Sequence, residues 1–268
     1  MRQVHFRTGS HSGSWNMAFD RLLMERVRGG EYDFVLRTYG WDPACVSIGR
    51  LQKKDREICQ DKLIADGYHL VRRPTGGRAV WHETEVTYSV VAPLDHPMVN
   101  GSISEALKKV SRPMAKALSS LGVKVRTSSI EDHRAGGPRV AGNPCFTSHG
   151  KWEVGTPDGR KLVGSAQARS RGVFLEHGSI LLNNDQLKIL DYAPRSTPEG
   201  LKAILRKHLS EGIACLREFV PEVTYEMVEN ALFEAFSGEL KEGLVHESWK
   251  SLDGGELREL QRECLNEV

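Results

Sequence analysis

Residues 72–82 read Arg-Arg-Pro-Thr-Gly-Gly-Arg-Ala-Val-Trp-His, between an extended run at 68–71 and a β-like run at 85–91. The two adjacent glycines, Gly76 and Gly77, let the backbone approach a ligand closely because neither carries a Cβ atom. Arginines and a histidine around such a turn can bind anionic or carbonyl groups. We therefore interpret this stretch as one wall of a binding pocket, with candidate contacts from Arg72, Arg73, Thr75, Gly76, Gly77, Arg78, Ala79, Val80 and His82. The alternative is an ordinary surface turn with solvated arginines.

The rest of the chain alternates helical and strand-like runs. Helices are predicted from about Trp15 to Arg28 with Ser14 as the N-cap, over 55–65, and over 102–121. Short strand-like runs lie at 34–37 and 44–48, a hairpin at 151–164, and a strand pair at 172–175 and 178–182. We expect an α/β (α+β) fold with a central mixed β-sheet flanked by helices, because the strands are too irregularly linked for a Rossmann series. Residues 1–268 are predicted to form a single domain whose portion from about 185 to 268 is mainly helical.

Composition narrows the function classes. The 268 residues are 39% hydrophobic and 27% charged, which is ordinary for a globular protein, and the net charge of +2 gives no reason to expect nucleic acid as a partner. The N-terminus lacks the apolar core of a signal peptide, and no apolar run approaches membrane-spanning length. We therefore expect no membrane association. Five scattered cysteines form no CxxC pair, so we also expect free thiols in a reducing cytoplasm and no metal site.

Cys145 is the candidate nucleophile. No P-loop, HExxH, GxSxG or GxGxxG motif is present, so a thiol and a lysine are the reactive groups that remain. Cys145 ends a long polar loop at 127–144, and loop tips on a rigid sheet often carry nucleophiles. The alternative is a buried, inert cysteine. For the other four we expect ordinary core or surface cysteines: Cys45, Cys59, Cys215 and Cys264.

Lys161 follows the tight turn of the predicted hairpin, which could carry it back toward Cys145. A nearby ammonium group stabilises thiolate over thiol and lowers the cysteine pKa from about 8.5. The alternative is an exposed lysine at a strand end. Small residues and an amide follow, and they are candidate pocket residues together with a histidine and a glycine further along: Gly164, Ser165, Ala166, Gln167, His177 and Gly178. For His82 and His177, an ordinary hydrogen-bonded histidine is the competing interpretation.

These stretches resemble the biotin/lipoate protein ligase superfamily, and within it the cysteine-dependent octanoyltransferases. The likeness rests on residues 72–82 and 85–89, the Cys145-Phe146 pair, 161–167, 171–173 and 177–182, with weaker similarity from Asn16 onward. The resemblance implies a central mixed sheet, an acyl tunnel beside Gly76-Gly77, an acyl-thioester on Cys145, and Lys161 as the group that lowers the thiol pKa.

The implied reaction moves octanoyl from acyl carrier protein to a lysine of a lipoyl-accepting protein, either the glycine-cleavage H protein or a 2-oxoacid dehydrogenase E2 subunit. It requires no cofactor. Burying an eight-carbon chain in an apolar tunnel contributes about 0.8 kcal/mol per methylene, which would select the acyl group without a charged anchor.

Several rival functions share parts of this pattern. An ATP-dependent lipoate–protein ligase, which would need ATP and Mg²⁺, usually has a third glycine where Arg78 stands and lacks a cysteine matching Cys145. Another octanoyltransferase branch places its thiol near the position of Val173, where no cysteine stands. An amidotransferase between lipoyl proteins would share the cysteine and the lysine. A non-catalytic module that binds carrier proteins would need neither.

Overall fold

The computed structural model describes residues 2–127 and 154–268. Cys145, the loop predicted at 127–144 beyond Thr127, and the hairpin residues before Val154 lie outside the described residues.

Strands supply the frame of the fold. In chain order they are β1 (Gln3–His11), β2 (Phe34–Trp41), β3 (Cys45–Ile48), β4 (His69–Arg72), β5 (Val80–His82), β6 (Glu85–Pro93), β7 (Arg126–Thr127), β8 (Val154–Gly155), β9 (Val163–Ser170), β10 (Val173–Leu181) and β11 (Val245–Glu247). The larger sheet has the order β11-β1-β2-β6-β10-β9. Strand β1 pairs parallel with β11 and β2, and the other pairs are antiparallel, so the expected mixed sheet is confirmed.

A second sheet holds the arginine–glycine turn, by which we mean residues 72–82. It has the order β4-β3-β5, with β4 parallel and β5 antiparallel to β3. The turn leaves this sheet at Arg72 and re-enters it at Val80, so both of its ends are hydrogen-bonded to β3. A glycine-rich segment is conformationally permissive on its own, and this anchoring restricts it.

Helices cover both faces of the larger sheet. They are α1 (Gly13–Arg28), α2 (Lys54–Glu57), α3 (Gln60–Ala65), α4 (Ile103–Ser120), α5 (Glu199–Gly212), α6 (Tyr225–Ser237) and α7 (Gly255–Asn266), with 3₁₀ turns at Asp185–Tyr192, Leu216–Glu218 and Trp249–Leu252. Apolar residues of α1 and α7 pack on one face, and those of α4 and α6 on the other. The C-terminal portion is mainly helical as predicted, and β11 joins it to the edge of the sheet.

Three local predictions are wrong. The N-cap of α1 is Ser12, whose hydroxyl accepts the Trp15 N–H at 3.4 Å, while Ser14 is buried in the first turn. The helix predicted over 55–65 is divided into α2 and α3. The strand pair predicted at 172–175 and 178–182 is one continuous strand, β10, because Glu176 and His177, where the break was predicted, pair in register with both β6 and β9.

Position 178 of β10 has no room for a side chain. A Cβ atom there would lie 2.5 Å from the Gly164 carbonyl oxygen and 2.8 Å from the Tyr88 ring. The close approach of β9 and β6 therefore requires glycine at this position.

The helix predicted over 102–121 begins as expected. Ser102 accepts the Glu105 N–H at 3.2 Å, and the Glu105 carboxylate accepts the Ser102 N–H at 2.7 Å, which completes a capping box. Within residues 2–127 and 154–268, no helix has both the length and the apolar character needed to cross a bilayer.

A buried ion pair joins α1 to β2. Asp20 and Arg37 are both fully buried, and Arg37 Nη1 lies 2.7 Å from Asp20 Oδ1. The guanidinium group also donates to the Thr8 hydroxyl at 3.1 Å and to the Asn16 side-chain oxygen at 2.6 Å, and it lies 3.8 Å from the Tyr39 ring centroid. Burial alone would raise the pKa of Asp20, but the Arg37 charge and the hydrogen bonds from His177 and Arg37 lower it overall.

We expect Asp20→Asn to lower the free energy of unfolding by about 3–5 kcal/mol, because it leaves the Arg37 charge buried without its counterion. Asp191→Asn is the matched control, since Asp191 pairs with Arg206 at 3.3 Å where both side chains are about half exposed; it should cost less than about 1 kcal/mol. Urea denaturation measures both values. Equal losses in the two variants would contradict the assignment of Asp20 as the counterion.

Candidate active site

A narrow cavity, which we call the slot, opens beside the arginine–glycine turn and contains about 400 Å³ of space including its mouth. Its surface is mostly apolar. The lining residues come from α1, both sheets and the turn: Met17, Tyr39, Trp41, Ser47, Arg73, Val80, His82, Thr87, Gly164, Ser165, Ala166, His177, Gly178 and Ser179. A mostly apolar pocket with a few converging polar groups is typical of a small-molecule site.

Arg73 holds the arginine–glycine turn in shape from within. Its guanidinium group donates to the Gly76 carbonyl at 2.9 Å, the Arg78 carbonyl at 2.6 Å and the Ser47 carbonyl at 2.9 Å. Five N–H donors in a planar fork suit this task, because one side chain can bind several carbonyl oxygens at once. Arg73 is therefore committed to the turn, although it also lines the slot.

The turn also packs unusually closely against the end of β3. A Cβ atom on Gly49 would lie 2.1 Å from the Gly77 carbonyl oxygen, so only glycine fits there. Gly77 itself has φ of 93°, a region that favours glycine. The Ser47-Ile48-Gly49 segment therefore fixes the position of the turn as strongly as the glycines within it.

One hydrogen-bonded chain ties the turn to the core through His177. Its Nδ1 atom lies 3.1 Å from Asp20 Oδ2, and its Nε2 atom lies 2.6 Å from the Thr75 hydroxyl. Burial lowers the pKa of His177 despite the opposing effect of Asp20, so the ring is neutral. Because the Asp20 carboxylate can only accept, Nδ1 carries the proton and Nε2 accepts from Thr75.

A second chain of the same form lies on the other wall. Glu85 Oε1 is 2.8 Å from His82 Nδ1, and His82 Nε2 is 2.7 Å from the Ser47 hydroxyl. The His82 ring stacks on Trp41 with centroids 4.1 Å apart, which fixes its plane. Ser47 also accepts from Arg73 at 3.0 Å, so this chain meets the turn at its other end.

Behind the slot, a carboxylic acid is buried with no ion-pair partner among residues 2–127 and 154–268. Glu176 is 1% exposed, and its Oε1 accepts the Tyr88 hydroxyl at 2.9 Å. The Tyr88 hydroxyl lies 2.7 Å from that of Ser165, which lines the slot. Burial raises the pKa of Glu176 to about 8, although the Tyr88 hydrogen bond acts against it. Glu176 is thus a neutral acid at neutral pH.

Lys161 is 2% exposed, so the alternative of an exposed strand-end lysine is wrong. Its N–H donates to the Gly212 carbonyl at 2.8 Å, and its carbonyl accepts the Ala214 N–H at 3.0 Å. These two bonds fix the backbone of Lys161 three residues before Gly164, where the chain reaches the slot. The tight turn predicted before it is present, with Gly159 at φ of 91°.

The predicted site residues divide into three groups. Those brought together at the slot are Arg73, Val80, His82, Gly164, Ser165, Ala166, His177 and Gly178. Three lie just behind it or at its rim: Thr75 is buried against His177, and Gly76 and Gly77 are exposed. The remaining four do not line the slot: Arg72 donates to the Gln52 carbonyl, Gln167 donates to the Ile103 carbonyl, Ala79 packs in a separate core cluster, and the Arg78 carbonyl accepts from Arg73.

Sequence reasoning missed the groups that hold the histidines. Asp20 and Arg37 each interrupt an apolar pattern, in α1 and β2, and Glu85 opens β6. A charged residue at a position whose neighbours predict burial is the signal that could have found them, because such a residue needs a buried partner.

The slot is suited to an apolar ligand, because its lining is mostly apolar. Its polar lining groups are engaged with one another or with backbone, and within the described ranges no three His, Cys, Asp or Glu side chains could hold a metal ion together. Such a pocket binds by apolar burial and exclusion of water.

Comparison with known proteins agrees with this geometry. The family profile described as the lipoyl protein ligase A/B catalytic domain matches residues 12–237. The chain is 38% identical over 265 residues to the octanoyltransferase LipM of Kyrpidia tusciae. The aligned residues cover 97% of this chain and 92% of that protein. It is 37% identical over 237 residues to the octanoyltransferase LipM of Macrococcus caseolyticus, covering 87% and 85%.

A solved structure shares the fold. The bi-partite lipoate protein ligase of Thermoplasma acidophilum superposes with a TM-score of 0.75 at 23% identity, covering 99% of this chain and 92% of that one.

We expect the stability of Glu176→Gln to overtake that of the parent protein as the pH rises. Glu176 ionises near 4.5 when unfolded and at about 8 when folded, so the stability it contributes is fully present below about pH 4.5 and is lost as the pH rises to about 8. Glutamine keeps an acceptor for Tyr88 and cannot ionise. Denaturant unfolding between these two pH values measures the difference in free energy of unfolding between the variant and the parent protein. Glu211→Gln, on the exposed face of α5, is the control and should show the same pH dependence as the parent protein. A difference that does not change with pH would refute the buried neutral acid.

Proposed function

The chain belongs to the family of the lipoyl protein ligase A/B catalytic domain, and we propose that it transfers octanoyl groups to lipoyl-accepting proteins through a thioester on Cys145. Full-length similarity to curated octanoyltransferases makes it an acyltransferase of lipoate biosynthesis. The observation that supports the covalent mechanism is the mostly apolar slot, which is lined by β9, a strand that begins two residues after Lys161.

The other four cysteines are poorly suited to the role. Burial raises the pKa of Cys45, Cys215 and Cys264, the last to about 11, which disfavours the thiolate. Cys59 precedes α3, where its N–H donates to the Tyr192 carbonyl. None of these four lines the slot. Cys145 is therefore the candidate that remains.

In the first step the Cys145 thiolate attacks the thioester carbonyl of octanoyl-acyl carrier protein. A new carbon–sulfur bond forms, the bond to the carrier's sulfur breaks, and that sulfur takes up the proton that Cys145 released. A thioester is exchanged for a thioester of similar energy, so the step needs no ATP. The Lys161 ammonium would hold the resting thiol ionised.

In the second step the amine of the acceptor lysine attacks the Cys145 thioester. An amide bond forms, the carbon–sulfur bond breaks, and a proton from the amine returns to the Cys145 sulfur. Dividing the transfer in this way lets two bulky carrier proteins use one slot in turn. We propose a lipoyl-domain protein, such as the glycine-cleavage H protein or an E2 subunit, as the acceptor.

A hydroxyl nucleophile is a second candidate, because Glu85, His82 and Ser47 have the order carboxylate, histidine, hydroxyl of nucleophilic triads. Ser47 lines the slot. Its hydroxyl also accepts from Arg73, which ties it to the turn. We therefore propose that Glu85, His82 and Ser47 position the arginine–glycine turn and do not act as a nucleophilic triad. The variant Ser47→Ala tests this assignment.

We expect Cys145→Ser to abolish formation of the acyl-enzyme while leaving the fold intact. Intact-mass spectrometry after mixing with octanoyl-acyl carrier protein, without ATP, should show one octanoyl adduct on the parent protein and none on Cys145→Ser. Cys59→Ser and Ser47→Ala are controls and should still carry the adduct. If the adduct is lost in Ser47→Ala and kept in Cys145→Ser, the nucleophile is Ser47 and not Cys145. Product formed only with free acid and ATP would favour a ligase.

We expect Lys161→Met, which keeps the buried volume, to slow acylation by about ten-fold at about pH 6.5 and by much less at about pH 9.5. Without the ammonium group the thiol pKa returns toward its ordinary value of about 8.5, so the loss is greatest where the thiol is protonated. Single-turnover acylation across this range measures the profile. If Lys161→Met slows acylation equally at every pH, the lysine does not act through the thiol pKa.

A further inference from the structure

A second concave surface, which we call the arginine groove, adjoins the start of the arginine–glycine turn. It is formed by α1, α7, the start of the turn and the end of β9, and contains about 1160 Å³ of space including its mouth. Its acidic residues are Glu25 on α1, Glu263 on α7 and Glu267 just after α7, fewer than its six arginines, so the groove is net positive: Arg21, Arg28, Arg50, Arg72, Arg73 and Arg171.

Four of the six arginines have structural partners. Arg21 pairs with Glu267 at 2.6 Å, and Arg28 pairs with Glu25 on its own helix. Arg72 and Arg73 are bound to backbone carbonyls of the turn and of the segment after β3. Their charges remain at the groove while their donors are in use.

Arg50 and Arg171 differ from these four. Both are exposed, and neither forms an ion pair with any residue in the described parts of the chain. They stand on different elements, one after β3 and one between β9 and β10, and both line the same groove. Exposed arginines without partners are available to a ligand's anionic groups.

The backbone at Arg171 is strained for an arginine. Its φ is 47°, and Gly172 beside it has φ of 83°, the pattern of a two-residue hairpin turn that favours asparagine or glycine at both positions. An outlier of this kind points to a role for the side chain, because asparagine would serve the turn better.

The groove and the slot share one residue. Arg73 lines both, so the arginine–glycine turn borders an apolar cavity and a cationic surface that adjoin one another. A substrate with an acyl chain at one end and anionic groups at the other would match the two surfaces together.

We propose that the arginine groove docks the acyl donor, an acidic carrier protein whose thioester arm includes a phosphodiester, with Arg50 and Arg171 as its anion contacts. This inference rests on the proposed function. Planar guanidinium groups bind phosphate oxygens in pairs, and a positive surface speeds encounter with an acidic protein. The acceptor fits the groove less well, because it must present a lysine, whose positive charge the arginines repel.

The test measures acylation by the donor and transfer to the acceptor separately in the double variant Arg50→Gln/Arg171→Asn. Asparagine at position 171 preserves the turn. We expect KM for octanoyl-acyl carrier protein in the acylation step to rise by about ten-fold, and by more in Arg50→Glu/Arg171→Asn. Acylation by octanoyl-N-acetylcysteamine, a small neutral thioester, should stay unchanged. Adding salt should raise KM for the carrier donor in the parent protein and have little effect with the small thioester.

Arg195→Gln/Lys207→Gln is the control, since it removes two exposed charges away from the groove, and it should match the parent protein in every arm. Equal acylation by the carrier in the groove variant and the control would overturn the proposal. A defect confined to transfer from the acyl-enzyme to the acceptor would also overturn it and assign the groove to the acceptor. Failure of the proposed function is distinct: the parent protein would then take octanoyl from neither donor.

Discussion

The carboxylate of Asp20 is the point at which the elements of the site meet. One oxygen accepts from Arg37 on β2 and from Ser89 on β6, and the other accepts from His177 on β10. Because His177 in turn accepts from Thr75, a charge buried on α1 determines where the arginine–glycine turn lies. Such a charge is tolerated only where all its partners are in place, so the site and the core cannot be formed independently.

The second wall of the slot is also held by a buried carboxylate that accepts a hydrogen bond from a histidine. Glu85 accepts from His82, Thr87 and Ser179, and His82 is held flat on Trp41. Both histidines thus have fixed orientations, and each ends on a hydroxyl of the sheet or turn that shapes the slot. Rigid walls suit a site in which the bound chain is apolar and featureless, since orientation then depends on shape and not on hydrogen bonds to the ligand.

The sequence predicted the parts of this arrangement that depend on local rules. Paired glycines predicted the turn, apolar periodicity predicted α1 and α4, and alternating strands predicted a mixed sheet. It failed where tertiary contacts decide. Glu176 and His177 were predicted as a break between two strands, yet both pair with β6 and β9 in a continuous β10, in which the Tyr88 ring and the Gly164 carbonyl require glycine at position 178. Asp20, Arg37 and Glu176 lie far apart in sequence from what they contact, so no spacing reveals them. Cys145 lies outside the described residues, and its role stays a prediction.

The position of the turn between two unlike surfaces bears on how the enzyme distinguishes its substrates. An apolar slot selects by chain length through burial and cannot distinguish a carrier protein from any other thioester. A cationic groove outside it selects by charge and is indifferent to the acyl chain. Arg73 lines both surfaces, and its guanidinium donors are occupied by the carbonyls of Ser47, Gly76 and Arg78. In the proposed arrangement, recognition of the carrier can be tuned separately from recognition of the acyl chain, because Arg50 and Arg171 of the groove lie outside the buried chain from Asp20 to Thr75, whereas His177 of that chain lines the slot.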